Sequence, residues 1–269
     1  MASMTKTKAG ITMKELRLLA GALAASAVLV LPAANAAPVE DRQPNVIDGS
    51  PSAGVATPDQ GDLDIVLRAV EAGNAEAMNI LGVAYVVGTP VPRDYAKALF
   101  WFQKAIDGGS ATAMNNFATM YLFGLGVPRN SAHAFRWLER SAASGNVHSM
   151  YSVAVMADEG FGTSRDPRLA RAMFRKAAES GYAPAMVRVS DDYARGSGVR
   201  LDLVEAYAWL LVALEANTSE DLQMSLLSRM ERLEARLAPT RRDAARVRAT
   251  QLAAMMKGAP LSDRAANVI

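Results

Sequence analysis

The chain has no cysteine, only two histidines, and aromatic residues at just 6% of its 269 positions. Without cysteine, an oxidising compartment adds no disulfide, and a lipid anchor on a cysteine is excluded. A zinc site needs several converging ligands, and His133 and His148 stand fifteen residues apart. They read as ordinary surface or cap residues. His-x-x-x-His, Gly-x-Ser-x-Gly and Gly-Lys-Ser are all missing. No catalytic residue, cofactor site or metal site is therefore expected. Few aromatics beside abundant alanine and 14 methionines suit close-packed helices better than packed sheets. A composition 51% apolar and 21% charged is that of a folded protein.

The first 36 residues form a separate segment. Lys6, Lys8, Lys14 and Arg17 precede an apolar run from Leu18 to Leu31, and Ala34-Asn35-Ala36 follows. That is the plan of a signal peptide with an A-x-A cleavage site. A membrane anchor is the other reading, but about fourteen helical residues rise only about 21 Å, short of a roughly 30 Å hydrocarbon core. Cleavage near Ala36 implies export to the periplasm or beyond, with no stable membrane insertion afterwards. It also removes four basic residues and one acidic residue, leaving 25 basic against 26 acidic side chains. The formal charge of +2 on the whole chain thus gives no reason to expect a nucleic-acid partner.

Residues 37–60 are rich in Pro, Gly, Ser and Asp and show no apolar periodicity, as a flexible linker would. From Asn74 the sequence repeats at a period of 36, in segments 74–109, 110–145, 146–181 and 182–217. Such a period marks a solenoid or an array. Met78, Met114, Met150 and Met186 share a column. Leu81, Phe117, Val153 and Val189 stand three residues on, and the small Gly82, Ala118, Ala154 and Ser190 four residues on. Tyr85, Tyr121 and Tyr193 follow at seven, with Ala157 as the exception. These spacings predict one apolar helix face with a small-residue column for close approach. The methionines and the tryptophans Trp101, Trp137 and Trp209 accordingly read as core.

Gly88, Gly124, Gly160 and Gly196 end each first helix. Asp94, Asn130, Asp166 and Asp202 can each cap a second helix, which closes at Gly109, Gly145 or Gly181 in the first three repeats. Leu63 to Gly73 matches a second helix without its first, a half-repeat cap. Behind the repeats, Ser219–Leu237 is amphipathic, with Leu222, Leu226, Leu227, Met230, Leu233 and Leu237 on its stripe. Pro239 breaks it, and Thr240 can cap a last helix to about Lys257. The expected organisation is a signal peptide over 1–36, a linker over 37–60, repeats over 61–217, capping helices over 218–258 and a disordered tail over 259–269.

These columns resemble the Sel-one-like repeat (SLR), a relative of the tetratricopeptide repeat. The family pattern is carried by Tyr121-Leu-Phe-Gly124-Leu-Gly126-Val127, then Asn130-x-x-x-Ala134-x-x-Trp137, then Ala142-Ala143-Ser144-Gly145. Pro90 replaces the second glycine of the first repeat, and the third repeat has Ala157 and Met173 where the family has aromatics. The resemblance implies an all-α fold, a right-handed α/α solenoid of four helix-turn-helix repeats with a half-repeat in front and two helices behind. It implies a scaffold or adaptor, with envelope signalling, surface polysaccharide control and host contact among the roles of exported bacterial members.

In such a solenoid the first helices line the concave face. The stripe one, five and eight residues after each methionine varies between repeats, and Phe123, Glu159 and Arg195 flank it. The expected partner groove is Asn79, Val83, Val86, Asn115, Thr119, Leu122, Phe123, Tyr151, Val155, Asp158, Asp191 and Arg195. Asparagines would bond a peptide backbone, valines would take apolar side chains, and aspartates would favour a basic end. The alternative partner is peptidoglycan or a cell-surface polysaccharide, which would use Tyr151 and Phe123 as aromatics. The acidic pairs Asp158-Glu159 and Asp191-Asp192 point apart on a helix and read as solvated or arginine-bound rather than catalytic. From Arg229 to Arg264 nine basic residues meet four acidic ones. They read as a solvated helix face, with contact to an anionic lipid or polysaccharide as the other reading.

Overall fold

The computed structural model describes residues 60–217 and 219–257. The expected leader, the tail and the linker up to residue 59 lie outside them. Eleven helices and no strand occur among the described residues. They are α1 (Gln60–Glu71), α2 (Ala75–Val87), α3 (Tyr95–Asp107), α4 (Ala111–Phe123), α5 (Ser131–Ala143), α6 (Val147–Glu159), α7 (Pro167–Glu179), α8 (Ala183–Arg195), α9 (Leu203–Ala216), α10 (Glu220–Glu234) and α11 (Pro239–Lys257). The fold is all-α and built of repeated helix pairs, as in an SLR solenoid. None of these helices is long and apolar enough to cross a membrane. The chain divides into two compact units, one containing α1–α4 and the other α5–α11.

Helices α2 to α8 are all thirteen residues long, because the same signals start and stop them. Gly88, Gly124, Gly160 and Gly196 adopt the left-handed conformation, and each amide donates to the carbonyl four residues back. Asp94, Asn130, Asp166 and Asp202 then accept from amides in the first turn of α3, α5, α7 and α9. Asp94, Asp166 and Asp202 also donate their own N–H to the carbonyls of Tyr85, Ala157 and Tyr193, at 2.8–3.0 Å. The cap residue is thus tied to both helices of its hairpin. Asn74, Ser110 and Asn146 cap α2, α4 and α6 in the same way. Tyr182 makes no such bond, and Pro184 stands in the first turn of α8 instead.

In the first unit, Leu63, Val66 and Ala69 of α1 pack with Ala77, Ile80, Leu81 and Ala84 of α2, and Trp101 lies at the edge of this cluster. The half-repeat cap is therefore present, and it begins at Gln60. The core reading holds for Met114, Met150, Met186 and Trp209, whereas Met78, Trp101 and Trp137 are only half-buried.

In the second unit, α10 and α11 both pack against the fourth repeat. Leu226, Met230, Leu233 and Leu237 are buried, while Leu227 points out. Helix α11 starts at Pro239, so Thr240 lies inside the first turn and does not cap it. Three polar links fix the pair to the repeat. Arg229 meets Asp191 at 2.5 Å, Arg248 grips both oxygens of Glu205 at 2.7 and 3.1 Å, and the Tyr207 hydroxyl donates to Glu234. Arg242 bonds the carbonyls of Glu234 and Leu237 at the end of α10. Three of the nine basic residues, Arg229, Arg242 and Arg248, are thus engaged within the fold, while Arg232, Arg236, Arg241 and Arg246 lie on a solvated face.

Gly82 shows how tight the packing is. A Cβ there would lie 2.6 Å from two ring carbons of Phe102, itself only 1% exposed. Alanine favours a helix over glycine by about 1 kcal/mol, but overpacking a closed core costs about 1–3 kcal/mol. Gly82→Ala is expected to lower the thermal midpoint, and Phe102→Leu in the same chain to reverse the sign. Differential scanning calorimetry of the two variants checks this.

Candidate functional site

Within the first unit, the expected stripe is mostly interior. Asn79, Val83, Asn115, Thr119 and Leu122 are all buried, while Val86 and Phe123 are half-buried. Asn79 is committed on both amide atoms. Its Nδ2 donates to Glu76 at 3.0 Å, and its Oδ1 accepts from Asn116 at 2.9 Å. The other Glu76 oxygen accepts from Ser110 at 3.1 Å, the residue that caps α4. This chain of four side chains joins α2 to α4. Asn79 therefore holds neighbouring repeats together rather than a partner's backbone. Thr119 turns its hydroxyl onto the Asn115 carbonyl at 3.0 Å.

The second unit repeats the pattern with charges. Tyr151 and Val155 are buried. The Tyr151 ring meets those of Phe174 and Tyr182 edge-on, at 5.4 and 5.3 Å. Burial pushes the hydroxyls of both Tyr151 and Tyr182 above the ordinary tyrosine range. Asp158 is half-buried and pairs with Arg188 at 2.7 Å, and that guanidinium lies 4.8 Å from the centre of the Phe174 ring. Asp191 pairs with Arg229 as described, so a cation from α10 already fills the place expected for a partner's basic end. Glu159 and Arg195 are exposed. The histidines also have local roles. His133 accepts from the Trp137 indole at 2.9 Å, and His148 meets the Tyr182 ring edge-on at 5.1 Å.

The stripe is displaced for a simple reason. A first helix between two neighbours is covered on most of its circumference, so moving one residue along it decides exposure. In α4 and α8 the residue two after the methionine, Asn116 or Arg188, is accessible, while Asn115 and Val187 beside them are buried. The residues nine after it, Val87, Phe123, Glu159 and Arg195, are half-buried or exposed in every repeat. Sequence reasoning missed Asn116, Arg188 and Arg229. Asp158–Arg188 and Asp191–Arg229 lie 30 and 38 residues apart, and only the second spacing is close to the period.

Asp192 is half-buried, and burial raises its pKa against the pull of Arg188 and Arg171. A carboxyl with a raised folded pKa prefers its proton in the native state. Its ionisation therefore costs stability at neutral pH, and the cost fades as pH falls through the raised pKa toward the ordinary value of 3.8. Asp192→Asn is expected to raise the unfolding midpoint at pH 7 and to lose that advantage below about pH 4. Urea unfolding at the two pH values measures the difference.

The Sel1 repeat family model matches residues 75–110, 111–146, 147–182 and 183–217. Among solved structures, a protective antigen present in uropathogenic Escherichia coli strains, displaying an SLR fold, is 25% identical with a TM-score of 0.63. That match covers 76% of this chain and 43% of the antigen. A Sel1 repeat protein from Oxalobacter formigenes is 30% identical with a TM-score of 0.58, over 68% of this chain and 52% of that protein. This chain thus spans about half of each neighbour's length or less. No curated protein matches it in sequence. With four consecutive matches to one model over more than half of its length, the chain belongs to the Sel1 repeat family.

Proposed function

We propose that the chain is an exported, non-catalytic adaptor or regulator of the cell envelope, and that it binds a partner protein along the first helices of its repeats. Sel1 repeats generally serve as scaffolds for protein–protein interaction. One observation carries the reading to this surface. The packing columns recur in all four repeats, while the accessible positions of the first helices differ from one to the next. In the first unit they are apolar or amide-bearing, with Val86, Val87, Asn116 and Phe123. In the second they are charged, with Asp158, Glu159, Arg188, Asp191 and Arg195. Constant support beneath a varied surface is what recognition of a particular partner requires.

Of the expected groove, Val86, Phe123, Asp158, Asp191 and Arg195 retain accessible surface, and the seven buried residues support them from below. Within each unit, an extended or helical segment of the partner would lie against the accessible residues of that unit's first helices. The polysaccharide reading loses support, because Tyr151, one of its two aromatics, is only 3% exposed.

The test uses the chain without its leader, immobilised and challenged with chemically crosslinked envelope extract. Glu159→Lys with Arg195→Glu reverses two exposed charges, and Phe123→Ala removes the accessible aromatic. Each variant is expected to weaken capture of the same protein at least tenfold, about 1.4 kcal/mol. Unchanged capture by all of these variants, with helix content and melting preserved, would rule out this surface.

A further inference from the structure

We propose that Asn217 is an acceptor for an N-linked glycan. This rests on the export reading, because the oligosaccharide donors of such transfer are presented outside the cytoplasm. Of the ten asparagines in the chain, only Asn217 is followed two residues later by Ser or Thr. The tripeptide is Asn217-Thr218-Ser219, with no proline between, which is the acceptor pattern of N-glycosylation. Glu215 stands two residues before it. The five residues therefore read acidic-x-Asn-x-Ser, the form that bacterial oligosaccharyltransferases accept.

The fold puts Glu215, Asn217 and Ser219 where an enzyme can reach them. Asn217 follows the last residue of α9 and takes an extended conformation, with φ −84° and ψ 139°. It is half-exposed, and Glu215 and Ser219 are exposed. The corresponding column in the other repeats is Gly109, Gly145 and Gly181, at φ between 87° and 94°. An extended backbone suits any residue, so ending the helix does not require asparagine here. The side chain is tied only locally. Its Nδ2 donates to the Ser219 carbonyl at 2.6 Å, and its Oδ1 accepts from the Ser219 amide at 3.0 Å. Both bonds stay within the linker, so the carboxamide can swing out without uncovering the core.

The chemistry balances without an oxidant. The donor is an oligosaccharide on a polyprenyl pyrophosphate. Nδ2 of Asn217 attacks the anomeric carbon, the bond from that carbon to the pyrophosphate oxygen breaks, and an N–C bond forms. The amide proton passes to an enzyme carboxylate, and the lipid pyrophosphate leaves.

The test co-expresses the full chain with a bacterial oligosaccharyltransferase and its lipid-linked heptasaccharide, then measures the intact mass of the periplasmic protein. The expected result is the leader-free mass plus one heptasaccharide. Asn217→Gln and Ser219→Ala should give the leader-free mass alone, and Glu215→Gln at least a tenfold loss of occupancy. Circular dichroism confirms that each variant is folded. A leader-free wild-type chain with no added mass overturns the proposal, as does added mass that persists in Asn217→Gln. A chain retained in the cytoplasm with its leader defeats the export reading instead. The acceptor is then tested by purified enzyme on the folded chain, where absence of transfer overturns the proposal on its own.

Discussion

The structure depends on a turn clamped at both ends. A left-handed glycine closes one helix, and a few residues later an aspartate or asparagine opens the next. That polar residue uses its side chain to hold the new helix, and in three hairpins its own amide reaches back to the old one. The distance from each opening cap to the following glycine sets the first helices at thirteen residues. With length fixed, the small column of one helix always meets the same level of its neighbour. Gly82 against Phe102 is one close approach of this kind. A helix one residue longer or shorter would turn its apolar face by about 100° and lose its fit.

That dependence explains which parts of the fold were legible in the sequence. Glycine stops, polar caps and apolar columns are local signals, and each appears four times. The caps of the first helices, Asn74, Ser110 and Asn146, carried the same signal. They lie at the joint between repeats rather than at the turn within each repeat. Boundaries were less secure where the repeat fades. Helix α1 begins three residues before the matched columns do, and α11 begins at a proline that sequence reasoning treated only as a break.

The candidate surface was harder to read, because exposure belongs to the assembled neighbours and not to a single helix. Asn79 and Asn115 had the chemistry of a peptide clamp. The structure buries both, and Asn79 finds its partners in Glu76 and Asn116. Tyr151 had the chemistry of a glycan platform, yet it sits between two other rings. The aspartates were read more nearly right, since arginine partners for Asp158 and Asp191 were among the expectations. That Arg229 would come from the capping helix needed the three-dimensional arrangement.

The links at Asp191, Glu205 and Tyr207 carry a consequence for how such a chain can evolve. They tie the closing helices to residues particular to the fourth repeat, and the equivalent columns of the other repeats hold no matching set. Duplication or loss of an internal hairpin would leave this junction whole. A new hairpin inserted after the fourth would separate Asp191 from Arg229 and Glu205 from Arg248, leaving charged groups stranded beside an uncovered apolar end. Changes in repeat number are thereby steered toward the middle of the array, and its C-terminal border is inherited as a block.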